Sequence, residues 1–338
     1  MTLGAAGSPA EAGTAGFDPA EQKVVPLRHP GRWAAATVVA LFVVMLVHTL
    51  FFSHVKRGGQ TQSRYQWNVI DQYFLTKPIM LGVLRTLEVT ALAMILGIVI
   101  GVILAVMRLS PNPIMSGAAW IYTWFFRGTP VYVQILFWYY VAYLYPSVAF
   151  GVPFWHSFFS VNLVNVSGIA VGVLALGLNE GAYMAEIVRA GIISVDHGQT
   201  EAAHSLGMSR LRAMRRIVLP QAMRLIVPVT GNETISMLKT SSLLATIAVP
   251  ELLYEVQAVY DRTYQTVPLL IVASLWYLAV TTILTIFQYY LERHYARGSA
   301  NAAPPAFLDQ LVRNALSPRQ RWFGRPNQVD SLLEDNLK

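Results

Sequence analysis

Two stretches of this chain repeat polar side chains at the spacing of one helix face. Asn179, Tyr183, Glu186 and Arg189 recur every three or four residues, and Asn232, Glu233, Ser236, Lys239, Thr240 and Ser242 do much the same. On a helix each set forms a stripe, and two stripes facing one another can line a water-filled path. A zwitterionic solute on that path needs acceptors for its ammonium, which Glu180 or Glu233 can supply. It needs donors for its carboxylate, which Lys239 or Ser and Thr hydroxyls can supply. Asn179, Glu180, Asn232, Glu233, Ser236, Lys239, Thr240 and Ser242 are therefore pathway candidates, and packing between helices or subunits is the competing reading of each.

The elements that carry these stripes are apolar. Of 338 residues 54% are hydrophobic and 13% charged, against about 25% charged in soluble domains, so a soluble surface cannot be built from them. A bilayer core needs about 20 helical residues. Suitable runs lie at 34–52 and near 80–108, 118–145, 166–193, 222–249 and 267–291, which predicts six spans with both ends on one side. Arg28, Arg32, Arg108, the cluster Arg210, Arg212, Arg215, Arg216 and Arg224, and the tail set from Arg293 to Arg325 share that side. By the positive-inside rule it is the cytoplasm. Lys56, Arg57, Arg64 and Lys77 run against this, while the other two outer loops hold only Arg262.

Composition also excludes several functions. With no cysteine there is no disulfide scaffold, thiolate metal site or cysteine nucleophile. The net charge of +7 does not point to nucleic acid, because Lys and Arg sit beside apolar runs rather than in an aromatic-interleaved stripe. No Gly-x-x-x-x-Gly-Lys-Ser/Thr occurs, so ATP chemistry must come from a partner and this chain is not itself the enzyme. An intramembrane hydrolase would need a facing nucleophile and base. His48 stands alone in the first run and no His lies in a later span, which argues against one.

Residues 1–30, rich in Ala, Gly, Pro and Glu without periodicity, read as a disordered tail. The run at 33–53 reads as a retained helix rather than a signal peptide, since the preceding tail is long and Phe51-Phe52-Ser53-His54 lacks small residues for cleavage. An external loop at 54–77 follows, then a core at 78–297 and a cytoplasmic tail at 298–338. In that tail Phe307, Leu308, Leu311, Val312 and Leu316 are spaced as on a helix face. A short amphipathic helix on the inner leaflet and a loosely ordered tail both fit.

Between the third and fourth core spans lies a short polar loop, 197–220. A helix of Gln, Glu and Ala closed by Gly207, with Ser209 capping a second helix, is locally consistent. Pro220 would bend or restart the chain, leaving two short helices at the membrane surface. The loop resembles the cytoplasmic signature of permease subunits of bacterial ATP-binding-cassette importers: Glu-Ala-Ala, three residues, Gly, nine residues, Ile-x-Leu-Pro. Glu201, Ala202, Ala203, Gly207, Ile217, Leu219 and Pro220 match every specified position. Phe126-Arg127-Gly128-Thr129-Pro130 with Gln134, Asn179 with Glu186-Ile187, Pro220-Gln221-Ala222, Leu238-Lys239-Thr240-Ser241-Ser242 and Pro250-Glu251-Leu252 are similar to the polar amino acid importers of the histidine, glutamine and glutamate type. Gly181 stands where Ser or Ala is more usual.

That resemblance implies an all-α integral membrane protein: a five-helix type I importer permease core plus one extra N-terminal transmembrane helix, in a bacterial inner membrane. It implies that Glu201, Ala202, Ala203, Gly207, Leu219 and Pro220 couple the chain to a dimer of ATP-binding subunits. It implies as further partners a second permease subunit, identical or homologous, an extracytoplasmic substrate-binding protein and the lipid bilayer. ATP and Mg would be used by the ATPase, with no cofactor or metal bound here. An importer of another small solute, such as an opine or small peptide, is the nearest alternative. An ion channel has no need of the 201–220 loop.

Ionisable residues inside spans cost about 2.5–3.5 kcal/mol each, so each needs a partner or water. Arg85 and Glu88 can pair locally. Arg127 adjoins Gly128 and Pro130, which can break the helix, and a structural role is the favoured reading.

Overall fold

A computed structural model describes residues 30–57, 59–152 and 156–295. The tail 1–29, the end of the core at 296–297 and the tail 298–338 with its Phe307–Leu316 stripe lie outside the described residues. The chain divides between Tyr65 and Gln66 into two compact units. The first holds helix α1 (Pro30–Phe52), apolar along its length, and a hairpin of β1 (His54–Arg57) and β2 (Gln60–Ser63) turned at Gly59 with φ +79°.

The second unit is helical. After α2 (Trp67–Phe74) come α3 (Lys77–Arg108), α4 (Pro113–Gly128), α5 (Val131–Leu144) and a second hairpin, β3 (Ser147–Val152) with β4 (His156–Asn162). Then follow α6 (Gly168–Ile193), α7 (His197–Ser205), α8 (Arg210–Ala213), a π-helical turn (Met214–Val218), α9 (Leu219–Thr240) and a 3₁₀ segment (Ser241–Ile247). Last come α10 (Leu252–Thr263) and α11 (Thr266–Tyr295). Among the described residues four helices, at 34–52, 77–108, 168–193 and 266–295, are long and apolar enough to cross a bilayer. A bent pair, Arg210–Ile247 with Leu252–Thr263, makes a fifth if counted as one span. Leu84, Ile95, Val99, Ile103 and Val106 on α3 and Leu278, Ile283 and Phe287 on α11 are exposed, a surface suited to lipid.

The structure departs from the sequence reading in three places. The segments between α1 and α2 and between α5 and α6, read as loops, each carry a two-stranded hairpin. The expected span 118–145 is two helices broken at Thr129-Pro130, both extended. Pro220 does not break its helix either. The Leu219 amide bonds back to the Met214 carbonyl across the wider π turn, and Gln221 Nε2 donates to the Ile217 carbonyl at 3.1 Å. The proline therefore passes without interruption, and α8, the π turn and α9 form one rod. Only α7 is a separate short helix. Ser209 takes an extended N-cap conformation, but its hydroxyl makes no cap bond.

The core is organised by α3 and α6, which pack in parallel through glycines. A Cβ on Gly97 would stand 2.6 Å from Glu180 Cγ, and one on Gly101 2.4 Å from Met184 Cβ. In return Leu96 fills the space over Gly177 and Ile100 that over Gly181, where a Cβ would meet Ile100 Cγ2 at 2.7 Å. Small residues four apart on both helices let the backbones approach closely. The glycine at 181 is thus what admits Ile100. At the other end of α3 the carboxylate of Glu251, 0% exposed, ties three helices. It accepts from Tyr254 N at 2.8 Å, from Tyr277 Oη at 2.8 Å and from Thr86 Oγ1 at 3.4 Å, and Thr86 Oγ1 accepts from Leu252 N at 3.1 Å.

Gly181→Leu must displace Ile100 and is expected to lower stability by about 1–3 kcal/mol, as overpacked cores do. Gly117→Leu, with no atom within 4 Å of its Cβ, should be neutral. Melting temperatures of the purified protein in detergent check the contrast.

Candidate functional site

The break in the second core span is the local event on which the site is built. Pro130 has no N–H, so the carbonyl of Phe126, four residues back, loses its helical donor. Two side chains replace it. Asn179 Nδ2 donates to Phe126 O at 2.9 Å and to Gln134 Oε1 at 3.1 Å. Gln134 Nε2 donates to Phe126 O at 2.9 Å, to Thr129 O at 3.1 Å and to Thr129 Oγ1 at 2.6 Å. The bonds to Phe126 and between the two amides are buried, and those to Thr129 are part-buried. Asn179, a pathway candidate from its stripe, thus pins the broken helix to α6.

Beside this knot lies a cavity of about 450 Å³, within the range of small-molecule sites. Asn179, Glu180 and Tyr183 of α6, Arg127 with the 128–131 break, and Glu233, Ser236 and Thr240 of α9 line it. The two stripes therefore do face one another. Glu180 is 5% exposed, and its Oε1 has no hydrogen-bond partner among the described residues. With Glu233 on the facing wall, the cavity lining holds two carboxylates and one guanidinium, that of Arg127. Such a lining is electrostatically suited to a solute with more positive than negative groups.

The remaining candidates fall elsewhere. Asn232 and Lys239 are exposed on α9 and do not line this cavity. Ser242 donates to the Lys239 carbonyl at 2.7 Å. Arg127 was read from sequence as structural. It lines the cavity, with its guanidinium carbon 5.4 Å from the centroid of the Tyr183 ring. Its place beside the Gly-Thr-Pro break was the available signal. Arg85 and Glu88 pair at 2.6 Å on one exposed helix face. Lower on the α6 stripe Glu186 accepts from Arg189 Nε at 2.9 Å and Nη2 at 2.6 Å, with Arg108 Nε 3.9 Å away.

The polar loop after α6 has a defined shape. Asp196 caps α7 by accepting from Gly198 N at 2.6 Å. At the other end Gly207 has φ +75°, and the bonds Gly207 N to His204 O at 2.9 Å and Met208 N to Ala203 O at 3.0 Å close a Schellman turn. Ala203 is buried, while Glu201, Ala202 and Gly207 are exposed. Leu206 and Leu211 project beside them, 83% and 78% exposed. Leu219 and Pro220 are exposed on the rod that leads from this loop to the cavity.

Residues 97–297, which contain both the cavity helices and this loop, match the family described as binding-protein-dependent transport system inner membrane component. The chain belongs to that family. It is 46% identical over 307 residues to the arginine transport system permease protein ArgU of Corynebacterium glutamicum, covering 89% of this chain and 91% of that one. The histidine/lysine/arginine/ornithine transport system permease protein HisM of Escherichia coli (strain K12) is 38% identical over 203 residues, 60% of this chain and 82% of its own. The nopaline transport system permease protein NocM of Agrobacterium fabrum is 36% identical over 225 residues, with 65% and 90% covered. Among solved structures, a crystal structure of an amino acid ABC transporter with histidines aligns with a TM-score of 0.58 at 32% identity, over 67% of this chain and 97% of that one. The chain is thus a multi-pass transport permease. The match to ArgU also reaches beyond the family region into the flanking segments.

Asn179→Leu leaves the Phe126 carbonyl with Gln134 as its one side-chain donor and Gln134 Oε1 without its amide partner. A loss of about 1–3 kcal/mol is expected for buried groups so stranded, read as a lower melting temperature in detergent. Asn232→Leu, at an exposed position on α9, should melt as the wild type does.

Proposed function

We propose that the chain is the membrane permease subunit of a binding-protein-dependent ABC importer for a cationic polar amino acid. The observation that carries this reading is the buried, unpartnered oxygen of Glu180 in a cavity shared with Glu233. A buried carboxylate is costly unless a cation or donor meets it, and an ammonium or guanidinium group on the solute does so. Arg127 is then the counterpart for the solute's α-carboxylate. The transport of arginine named for ArgU, and of histidine, lysine, arginine and ornithine named for HisM, supports a basic substrate. The opine named for NocM supports the alternative of a larger derivative.

In this reading six spans leave both termini in the cytoplasm, and α7 with Glu201, Ala202, Ala203 and Gly207 docks on an ATP-binding subunit. That subunit, one of a dimer, binds ATP and Mg. Leu206 and Leu211 supply the apolar contact and Glu201 a charge for basic groups at the rim. A second permease subunit covers the open side of the cavity, where Asn232, Ser236 and Lys239 are exposed, and a binding protein delivers the solute from outside.

Uptake by the reconstituted transporter tests the substrate assignment. Glu180→Gln and Glu233→Gln keep size and remove charge. Each should raise the KM for labelled arginine at least tenfold, with assembly intact. Unchanged KM in both variants contradicts the assignment. Coupling is tested at Gly207, where a β-branched side chain at φ +75° costs about 1–3 kcal/mol. Gly207→Val should insert normally yet lose uptake and release or uncouple the ATPase in a pull-down, with Glu201→Ala milder. Normal transport by Gly207→Val contradicts the docking role.

A further inference from the structure

Below the first cavity, toward the end of α6 that leads into α7, lies a second cavity of about 460 Å³. Arg108, Thr123, Trp124 and Glu186 line it, and Arg127, Gly128 and Tyr183 border both cavities. Order along α6 fixes their sequence: Asn179 and Glu180 face the upper one, Tyr183 the boundary and Glu186 the lower one. At 1.5 Å per residue, Glu180 and Glu186 stand roughly 9 Å apart along the axis. The antiparallel α4 repeats the order in reverse, from Thr123 and Trp124 below to Arg127 at the boundary.

We infer that Arg127 stacked on Tyr183 is the partition between two chambers of one path, and that its guanidinium hands the solute's carboxylate from the upper chamber to the lower. The inference rests on the import reading above. Three features of the pair suit it to this task. The guanidinium lies over the ring at 5.4 Å, so cation–π attraction holds it in place. Among the described residues no hydrogen bond or ion pair to a carboxylate locks it, although Glu186 lies in the lower chamber and Glu180 in the upper one. And the non-helical break at Thr129-Pro130 ends its helix just beyond it, so the side chain stands beside extended backbone at the border of both cavities.

An arriving carboxylate competes with the ring for the same cation, forming charge-assisted hydrogen bonds stronger than the ring contact. Below the partition Arg108 offers the next positive group. It stands 3.9 Å from Glu186, too far for a hydrogen bond, whereas Arg189 holds Glu186 at 2.6 Å. Arg108 Nε is buried and makes no hydrogen bond. A carboxylate released by Arg127 therefore meets a second guanidinium, one paired only at long range with Glu186.

The absence of cysteine makes the test direct. In the complete nucleotide-free transporter in right-side-out vesicles, Thr123→Cys places one thiol in the lower chamber. A charged, membrane-impermeant thiosulfonate is added outside. With the pair intact the thiol should react slowly. Adding Tyr183→Leu should raise the rate at least tenfold, and adding Tyr183→Phe, which keeps the ring, should not. Arg127→Gln should accelerate labelling and raise the KM for labelled arginine, with Arg127→Lys intermediate in both. Equal labelling rates in the intact, Tyr183→Leu and Arg127→Gln backgrounds overturn the partition. Labelling needs no solute, so a wild-type transporter that imports no amino acid would sink the import reading and leave this result to stand or fall alone.

Discussion

The missing N–H of Pro130 is the constraint around which the membrane site is arranged. A helix crossing lipid must satisfy its own backbone, and here one carbonyl, that of Phe126, cannot be satisfied from within. Asn179 and Gln134 both turn to it. The break is thereby fixed to α6 through the buried Phe126 carbonyl. Arg127 stands at the end of the first half-helix beside an extended segment rather than in a continuous cylinder. Both the charge distribution of the cavity and the position of the boundary follow from one proline and its two amide partners.

Around that site the molecule combines a rigid pair with a continuous rod. Glycines on α3 and α6 bring two long helices into direct backbone contact, and this pair carries Asn179, Glu180 and Tyr183 on a surface that has little room to shift. The opposite wall is different. Glu233, Ser236 and Thr240 sit on α9, which continues through the π turn into α8 and ends at the Schellman turn of α7. From Arg210 to Glu233 the rod is roughly 35 Å long at 1.5 Å per residue. Continuous helical backbone thus joins the loop to the wall that carries Glu233, with its hydrogen-bond ladder altered at the π turn and at Pro228 inside α9.

Much of this was legible in the residues. Helical period placed the two stripes on α6 and α9, and Glu201 to Pro220 located the loop, because both signals are local and regular. What escaped was non-local or irregular. Lys239 belongs to the α9 stripe by spacing yet is exposed and outside the cavity lining, since a period defines a face but not what it meets. Asn179 was assigned to the path by its stripe, and its bond to a carbonyl 53 positions earlier cannot be read from spacing. Pro220 and Pro130 have the same local chemistry. One is absorbed by a π turn and the other breaks its helix, a difference decided by the neighbouring turns. The role of Gly181 became visible only once Ile100 lay against it.

The central claim is that buried Glu180 and half-buried Glu233 recognise the positive charge of the solute inside the membrane subunit itself. Equilibrium binding of labelled arginine to the purified permease–ATPase complex, without the binding protein, tests it most directly. Saturable binding that is lost when Glu180→Gln and Glu233→Gln are combined, and competed by lysine but not by glutamate, is the result expected. Saturable binding that survives the double substitution unchanged, or its absence in the wild type, would contradict the account.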